Sequence, residues 1–155
     1  TYPYTGSGNN YEGEIGVVLL ERLRDLSVAA AERLRLGFVC VNDVTARDLQ
    51  KTDGQWGRAK GFDTFCPVGP TVVEGLDWRN LEVTTRLNGA VKQHGKTAEM
   101  AYSIPAIIAF VSSVMTLEPG DLIATGTPAG VGRLASGDIV EVEVTGVGVL
   151  RNPVK

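Results

Sequence analysis

Apolar residues in this chain recur in short runs broken by glycine and proline, the rhythm of strands joined by tight turns. Residues 14–20 are strand-like. Residues 26–35 carry Ala and Leu at helical spacing, with Ser27 as an N-cap and Gly37 as a stop, which predicts a helix. An uninterrupted apolar run over residues 38–42 reads as a buried strand, followed by a short helical turn over residues 45–50. Residues 81–87 alternate apolar and polar, and Asn88-Gly89 is a hairpin signal leading into Val91-Lys92-Gln93. Residues 103–117 read as an apolar helix, with Pro105 tolerated in its first turn. Pro119-Gly120-Asp121 turns into Leu122-Ile123-Ala124-Thr125, and residues 139–144 form a half-exposed strand by their period of two. No repeat or linker divides the chain, so the pattern predicts one α+β, strand-rich domain with helices packed on its sheets.

The length of 155 residues suffices for one domain with a real core. Hydrophobic residues make up 43% and charged residues 21%, ordinary values for a globular protein. A net charge of −3 gives no footprint for nucleic acid, and no Lys/Arg run marks an anionic membrane. The longest apolar stretch, residues 104–115, holds Pro105 and two serines and is too short to span a bilayer. With no leader visible, a cytoplasmic location is expected. Cys40 and Cys66 sit among apolar neighbours and read as core residues rather than a disulfide. Two isolated cysteines and the single His94 cannot build a typical structural zinc site, and His94, beside Gly95 and Lys96, is expected at the surface.

Chemistry concentrates in a few segments. In Tyr11-Glu12-Gly13-Glu14-Ile15-Gly16-Val17-Val18, two carboxylates lie two residues apart on a strand and so point to the same side. Side by side they repel unless a cation or a proton relieves them. Asp43 ends the next buried run and brings a third carboxylate, although such a residue taken alone is more often a helix cap. Oxygen ligands without Cys or His companions suit a hard cation, Mg²⁺, Mn²⁺ or Ca²⁺. On a helical turn Arg47 lies four residues from Asp43 and three from Gln50, and its guanidinium can fork onto a carboxylate. Lys60 would balance charge near an acidic site, and Trp56 lines either a pocket or the core. Residues 125–132 form a glycine-rich loop whose Thr127 could face a carboxylate or an enolate; it lacks the Gly-Lys-Ser/Thr ending of a phosphate loop.

Taken in order, these segments resemble the fumarylacetoacetate hydrolase family. The resemblance runs from about Tyr11 to Val154 and rests on the Tyr11–Val18 segment, Asn42-Asp43-Val44-Thr45-Ala46-Arg47-Asp48-Leu49-Gln50, residues 54–70, Asn88-Gly89, residues 119–132 and Gly137-Asp138. It implies packed mixed β-sheets with peripheral short helices, and a homodimer. It implies a catalytic domain over residues 11–155, with residues 1–10 a remnant of an upstream segment; a hidden break near Tyr4 to Tyr11, where Gly6-Ser7-Gly8-Asn9-Asn10 lies, is expected from the chain itself. By the same resemblance Glu12, Glu14 and Asp43 hold Mg²⁺ or Mn²⁺, while Arg47, Gln50, Lys60 and Thr127 face a small anionic 2-oxo or 2,4-dioxo acid. Family members hydrolyse acylpyruvates, decarboxylate oxaloacetate, or isomerise dienedioates from aromatic breakdown; a catalytically silent metal-binding relative is the alternative. The upstream segment of such proteins supplies acid/base chemistry, so no general base is assigned here. The implied chemistry suits the residues: a metal stabilises the enolate formed as a C–C bond breaks, and Lys60 and Arg47 offset the remaining charge.

Overall fold

The computed structural model describes residues 8–155. In chain order these form β1 (Asn9–Tyr11), β2 (Gly13–Leu19), α1 (Val28–Ala31), β3 (Leu36–Asn42), β4 (Thr45–Ala46), α2 (Arg47–Asp53), α3 (Gly57–Lys60) and β5 (Val68–Glu74). There follow β6 (Glu82–Leu87), β7 (Ala90–Lys96), α4 (Ile104–Val114), β8 (Leu122–Ala124), β9 (Gly132–Arg133), β10 (Ile139–Val144) and β11 (Gly148–Pro153). The expected strand-rich fold with short peripheral helices is present. Its strands build three sheets, ordered β5-β3-β2-β8, β11-β10-β6-β7 and β4-β1-β9, and every ladder among the described strands is antiparallel.

The two four-stranded sheets meet across the main core. Ile15, Val17, Phe38 and Cys40 belong to the same apolar cluster as Val83, Val140, Val142 and Val144, and α4 adds Ile104 and Ile108. Every residue of β3 is buried, which is why its sequence is apolar without alternation. Phe38 is 1% exposed, and truncation to Ala would cost about 3–5 kcal/mol of stability. The Asn88-Gly89 hairpin forms as expected, with positive φ of 52° and 81° at the two turn residues, the twist that matches antiparallel strands.

Local signals gave way to pairing in two places. Ser27 caps a helix as expected, its Oγ accepting from Ala30 N at 3.2 Å, but that helix is only Val28–Ala31. Gly37 does not stop it; Gly37 lies inside β3 opposite Val18, because the β2 ladder extends to Leu36 opposite Leu19. Likewise Thr45 and Ala46 pair with Asn10 and Asn9 in a ladder, and helix α2 begins only at Arg47. Both cysteines are free; Cys40 is fully buried, whereas Cys66 is only half-buried and has φ of 55°.

Asn9 and Asn10 belong to β1, while residues 1–7, where the remainder of the expected upstream remnant falls, lie outside the described residues. After Tyr11 the chain leaves the small sheet and enters the large one at Gly13; after Asn42 it leaves the large sheet and rejoins the small one at Thr45. Glu12 and Asp43 occupy these two crossings. No helix among the described residues is long and apolar enough to cross a membrane.

Candidate metal centre

The two sheet crossings bring three carboxylates together. Glu12, Glu14 and Asp43 each offer an oxygen lying within 4.8 Å of the others. Glu12 and Glu14 are buried, at 6% and 3% exposure. The backbone of Glu12 is fixed by its neighbour crossing, its N–H donating to Asn42 Oδ1 at 2.9 Å. Gly13 sits between the two glutamates because a Cβ there would lie 1.9 Å from Thr85 Oγ1. The close approach that a strand glycine signals is made by the protein's own β6, not by a ligand.

Two cations flank the cluster. Lys60, at the end of α3, donates from Nζ to Glu12 Oε2 at 3.1 Å and to Asp43 Oδ2. Arg47, at the start of α2, donates to Glu12 Oε1 and to Gln50 Oε1. The expected Arg47–Gln50 contact is present, but the partner of Asp43 is Lys60 and not Arg47. Gly126 N donates to Glu14 Oε2 at 2.7 Å. The carboxylates open onto a cavity of about 390 Å³ lined also by Lys60, Gln50, Trp56 and Thr127. Trp56 is 56% exposed, so it belongs to the cavity rim rather than the core, and Lys60 Nζ stands 6.0 Å from its ring centroid.

The electrostatics follow from burial. Loss of water pushes the Glu14 carboxyl up to about 7; the Gly126 amide and the Lys60 charge oppose this, while the charges of Asp43 and Glu12 add to it. Burial alone would lower the Lys60 ammonium, but the hydrogen bond and charge of Asp43, together with Glu12, hold it above its ordinary value. The Cys66 thiol is raised by burial first and then by Asp43 and Glu14. An all-oxygen set of three clustered carboxylates, two of them buried, fits a hard divalent cation, which would relieve both the repulsion and the desolvation.

Thr127 reaches the cavity, but its hydroxyl is committed to the fold: it donates to the Gly13 carbonyl at 2.9 Å and accepts from Gln93 Nε2 at 2.7 Å. Gln93, which is fully buried on β7, was not among the residues singled out by sequence. Its only local signal is that Gln93 and Gly95, two residues apart, are the buried positions at the end of β7, where an amide facing inward needs partners. His94 is exposed as expected, its Nδ1 lying 3.2 Å from Thr84 Oγ1.

A family model described as fumarylacetoacetate (FAA) hydrolase C-terminal matches residues 1–155. The chain is 41% identical over 155 residues to the oxaloacetate tautomerase YisK of Bacillus subtilis (strain 168), an overlap of 94% of this chain and 52% of that protein. It is 36% identical over 151 residues to the mitochondrial oxaloacetate decarboxylase of Dictyostelium discoideum, covering 94% and 69% respectively. The crystal structure of 2-hydroxyhepta-2,4-diene-1,7-dioate isomerase from Mycobacterium marinum matches with a TM-score of 0.93 at 52% identity, covering 97% of this chain and 60% of that one. In three further curated relatives the chain spans 62%, 57% and 58% of their length.

Proposed function

We propose that this chain, which belongs to the fumarylacetoacetate hydrolase family, is the metal-binding part of an enzyme that cleaves a C–C bond in small 2-oxo or 2,4-dioxo acids. The cleavage is acylpyruvate-type hydrolysis or oxaloacetate-type decarboxylation. The observation that carries this reading is the meeting of Glu12, Glu14 and Asp43 within 4.8 Å, with Lys60 and Arg47 bonded at the edge of the cluster. Glu12, Glu14 and Asp43 would hold a Mg²⁺ or Mn²⁺ ion, which would supply Lewis-acid polarisation of a keto oxygen.

The chain's own residues handle the remaining charge. An enolate forms as the C–C bond breaks, and the Lys60 ammonium and Arg47 guanidinium offset its negative charge in a partly water-excluded site. Removing one such group commonly costs roughly 3–4 kcal/mol of barrier stabilisation. Gln50 holds the Arg47 fork from the side away from Glu12. Thr127 lines the cavity that the substrate would enter.

A second reading uses the same cluster with proton transfer in place of bond cleavage, as an isomerase of unsaturated dicarboxylates. The named activities of the M. marinum isomerase and the B. subtilis tautomerase favour it. We also propose a homodimer: α4 buries Ile104 and Ile108 but leaves Phe110 70% and Val114 62% exposed.

Pyruvate release tests the first reading. Oxaloacetate and a short acylpyruvate are offered with Mg²⁺ or Mn²⁺, then with EDTA. Metal-dependent release is expected. No release from either, with metal still bound, would sink the C–C cleavage reading in favour of an isomerase or a silent binding protein.

A further inference from the structure

Both peptide groups of Gly13 are held from the side. Its N–H donates to Gln93 Oε1 at 3.1 Å, and its carbonyl accepts from the Thr127 hydroxyl at 2.9 Å. Gln93 Nε2 donates to that same hydroxyl at 2.7 Å and to the Pro128 carbonyl at 2.8 Å. One carboxamide thus uses its acceptor and both of its donor hydrogens to tie strand β2 to the 125–128 loop. The peptide groups so held join Glu12 to Gly13, bonded by Gln93 itself, and Gly13 to Glu14, bonded by the Thr127 hydroxyl that Gln93 holds. Their tilt sets the angle between the two buried carboxylates. The loop end of the tie matters as well, because Gly126 N donates to Glu14 Oε2 at 2.7 Å.

The surroundings leave this arrangement little slack. Gln93 is 1% exposed, so water cannot easily replace a lost bond. The loop lies hard against β7: a Cβ at Gly130 would sit 2.1 Å from the Lys92 carbonyl oxygen, and one at Gly95 would sit 2.8 Å from Pro128 Cβ. A buried glutamine that merely filled the core would find its partners anywhere. This one spends all of them on the backbone between two candidate ligands and on the loop that bonds one of them.

We infer that Gln93 is a positioning residue for the cation site, setting the relative placement of Glu12, Glu14 and the Gly126–Thr127 loop and through them the affinity for the divalent ion. The inference rests on the metal-dependent reading above. Partners that orient metal ligands from outside typically contribute 10–100-fold in affinity.

The test titrates Mn²⁺ alone into the full chain by calorimetry, with melting followed in EDTA. Gln93→Met, which keeps the volume and removes the amide, is expected to weaken Mn²⁺ binding about tenfold or more. Thr127→Val is expected to do the same, and Thr127→Ser, which restores the hydroxyl, to bind close to wild type. The Gln93→Met/Thr127→Val double variant should be no weaker than the weaker single, because both cut one ring of bonds. Wild-type affinity in Gln93→Met, with only its melting temperature lowered, would overturn the inference and leave Gln93 a core residue. Should Gln93→Met fail to fold, equal affinity in Thr127→Val and Thr127→Ser overturns it instead. Absence of Mn²⁺ binding by the wild type would overturn the functional reading and this inference together.

Discussion

Asp43 donates its backbone N–H to the carbonyl of Glu12 at 2.8 Å. Residues 31 positions apart in sequence, 43 less 12, are thereby locked main chain to main chain at the point where both segments change sheets. Glu14 lies on β2, and Glu12 and Asp43 lie on crossings of one and two residues between paired strands, so their convergence is a property of the framework.

Substituting the candidate ligands separates this cluster from an ordinary acidic patch. Glu14→Gln and Asp43→Asn should each reduce Mn²⁺ affinity by more than the roughly 10–100-fold typical of outer partners. Metal titration of each variant checks it. Unchanged affinity in both would remove the metal centre from the account.

Burial makes the site pH-dependent in a defined direction. Glu14 ionises at about 7 in the folded chain against an ordinary value of 4.5. Between those values the native state holds a proton that the unfolded state has released. Its contribution to stability is full below the lower value and is lost as pH rises through the higher one. Metal-free protein should therefore melt at a lower temperature at about pH 8 than at about pH 5, and Glu14→Gln should lose that part of the slope. Cation binding needs the ionised carboxylate, so affinity should rise over the same range. An identical pH slope in wild type and Glu14→Gln would contradict the assignment.

Gly13 tolerates no side chain. Gly13→Ala would place a Cβ 1.9 Å from Thr85 Oγ1, whose hydroxyl is buried with no partner among the described residues. Overpacking of this kind costs roughly 1–3 kcal/mol. Adding Thr85→Ala should recover part of the loss, and denaturant unfolding of the single and double variants measures the coupling. Additive effects would mean the strain lies elsewhere.

Arg47 acts as a fork, bonding Glu12 and Gln50 together. Arg47→Lys keeps the charge and loses the second arm. It should lower kcat/KM roughly tenfold, equivalent to about 1.4 kcal/mol. Gln50→Leu on top of it should add little, since the contact is already gone. A full extra loss would show that Gln50 acts independently of Arg47.

Much of this arrangement was legible in the sequence because the signals were local. The apolar run around Phe38–Val41 announced a strand buried on both faces, and Asn88-Gly89 announced its hairpin. Glu12, Glu14 and Asp43 stood out as oxygen donors without Cys or His beside them. What stayed hidden depended on distant partners. Helical spacing offered Arg47 to Asp43, yet the sheet crossing placed Glu12 closer and gave Asp43 to Lys60. Gly37 looked like a helix stop because the β2 ladder that claims it comes from earlier in the chain. Gln93 carried no motif; its importance arises only when Gly13 and Thr127 fold against it.

Trp56 stands at the cavity mouth with the Lys60 ammonium 6.0 Å from its ring, and that ammonium is bonded to Glu12 and Asp43 on its other side. The other tryptophan, Trp78, stacks beneath Arg79 at 4.1 Å and lines a different cavity. A change in charge at the carboxylates is therefore expected to be felt at Trp56 through Lys60. The molecule carries a built-in optical gauge: emission from Trp56 should shift in colour as the cluster fills, reporting occupancy without a label.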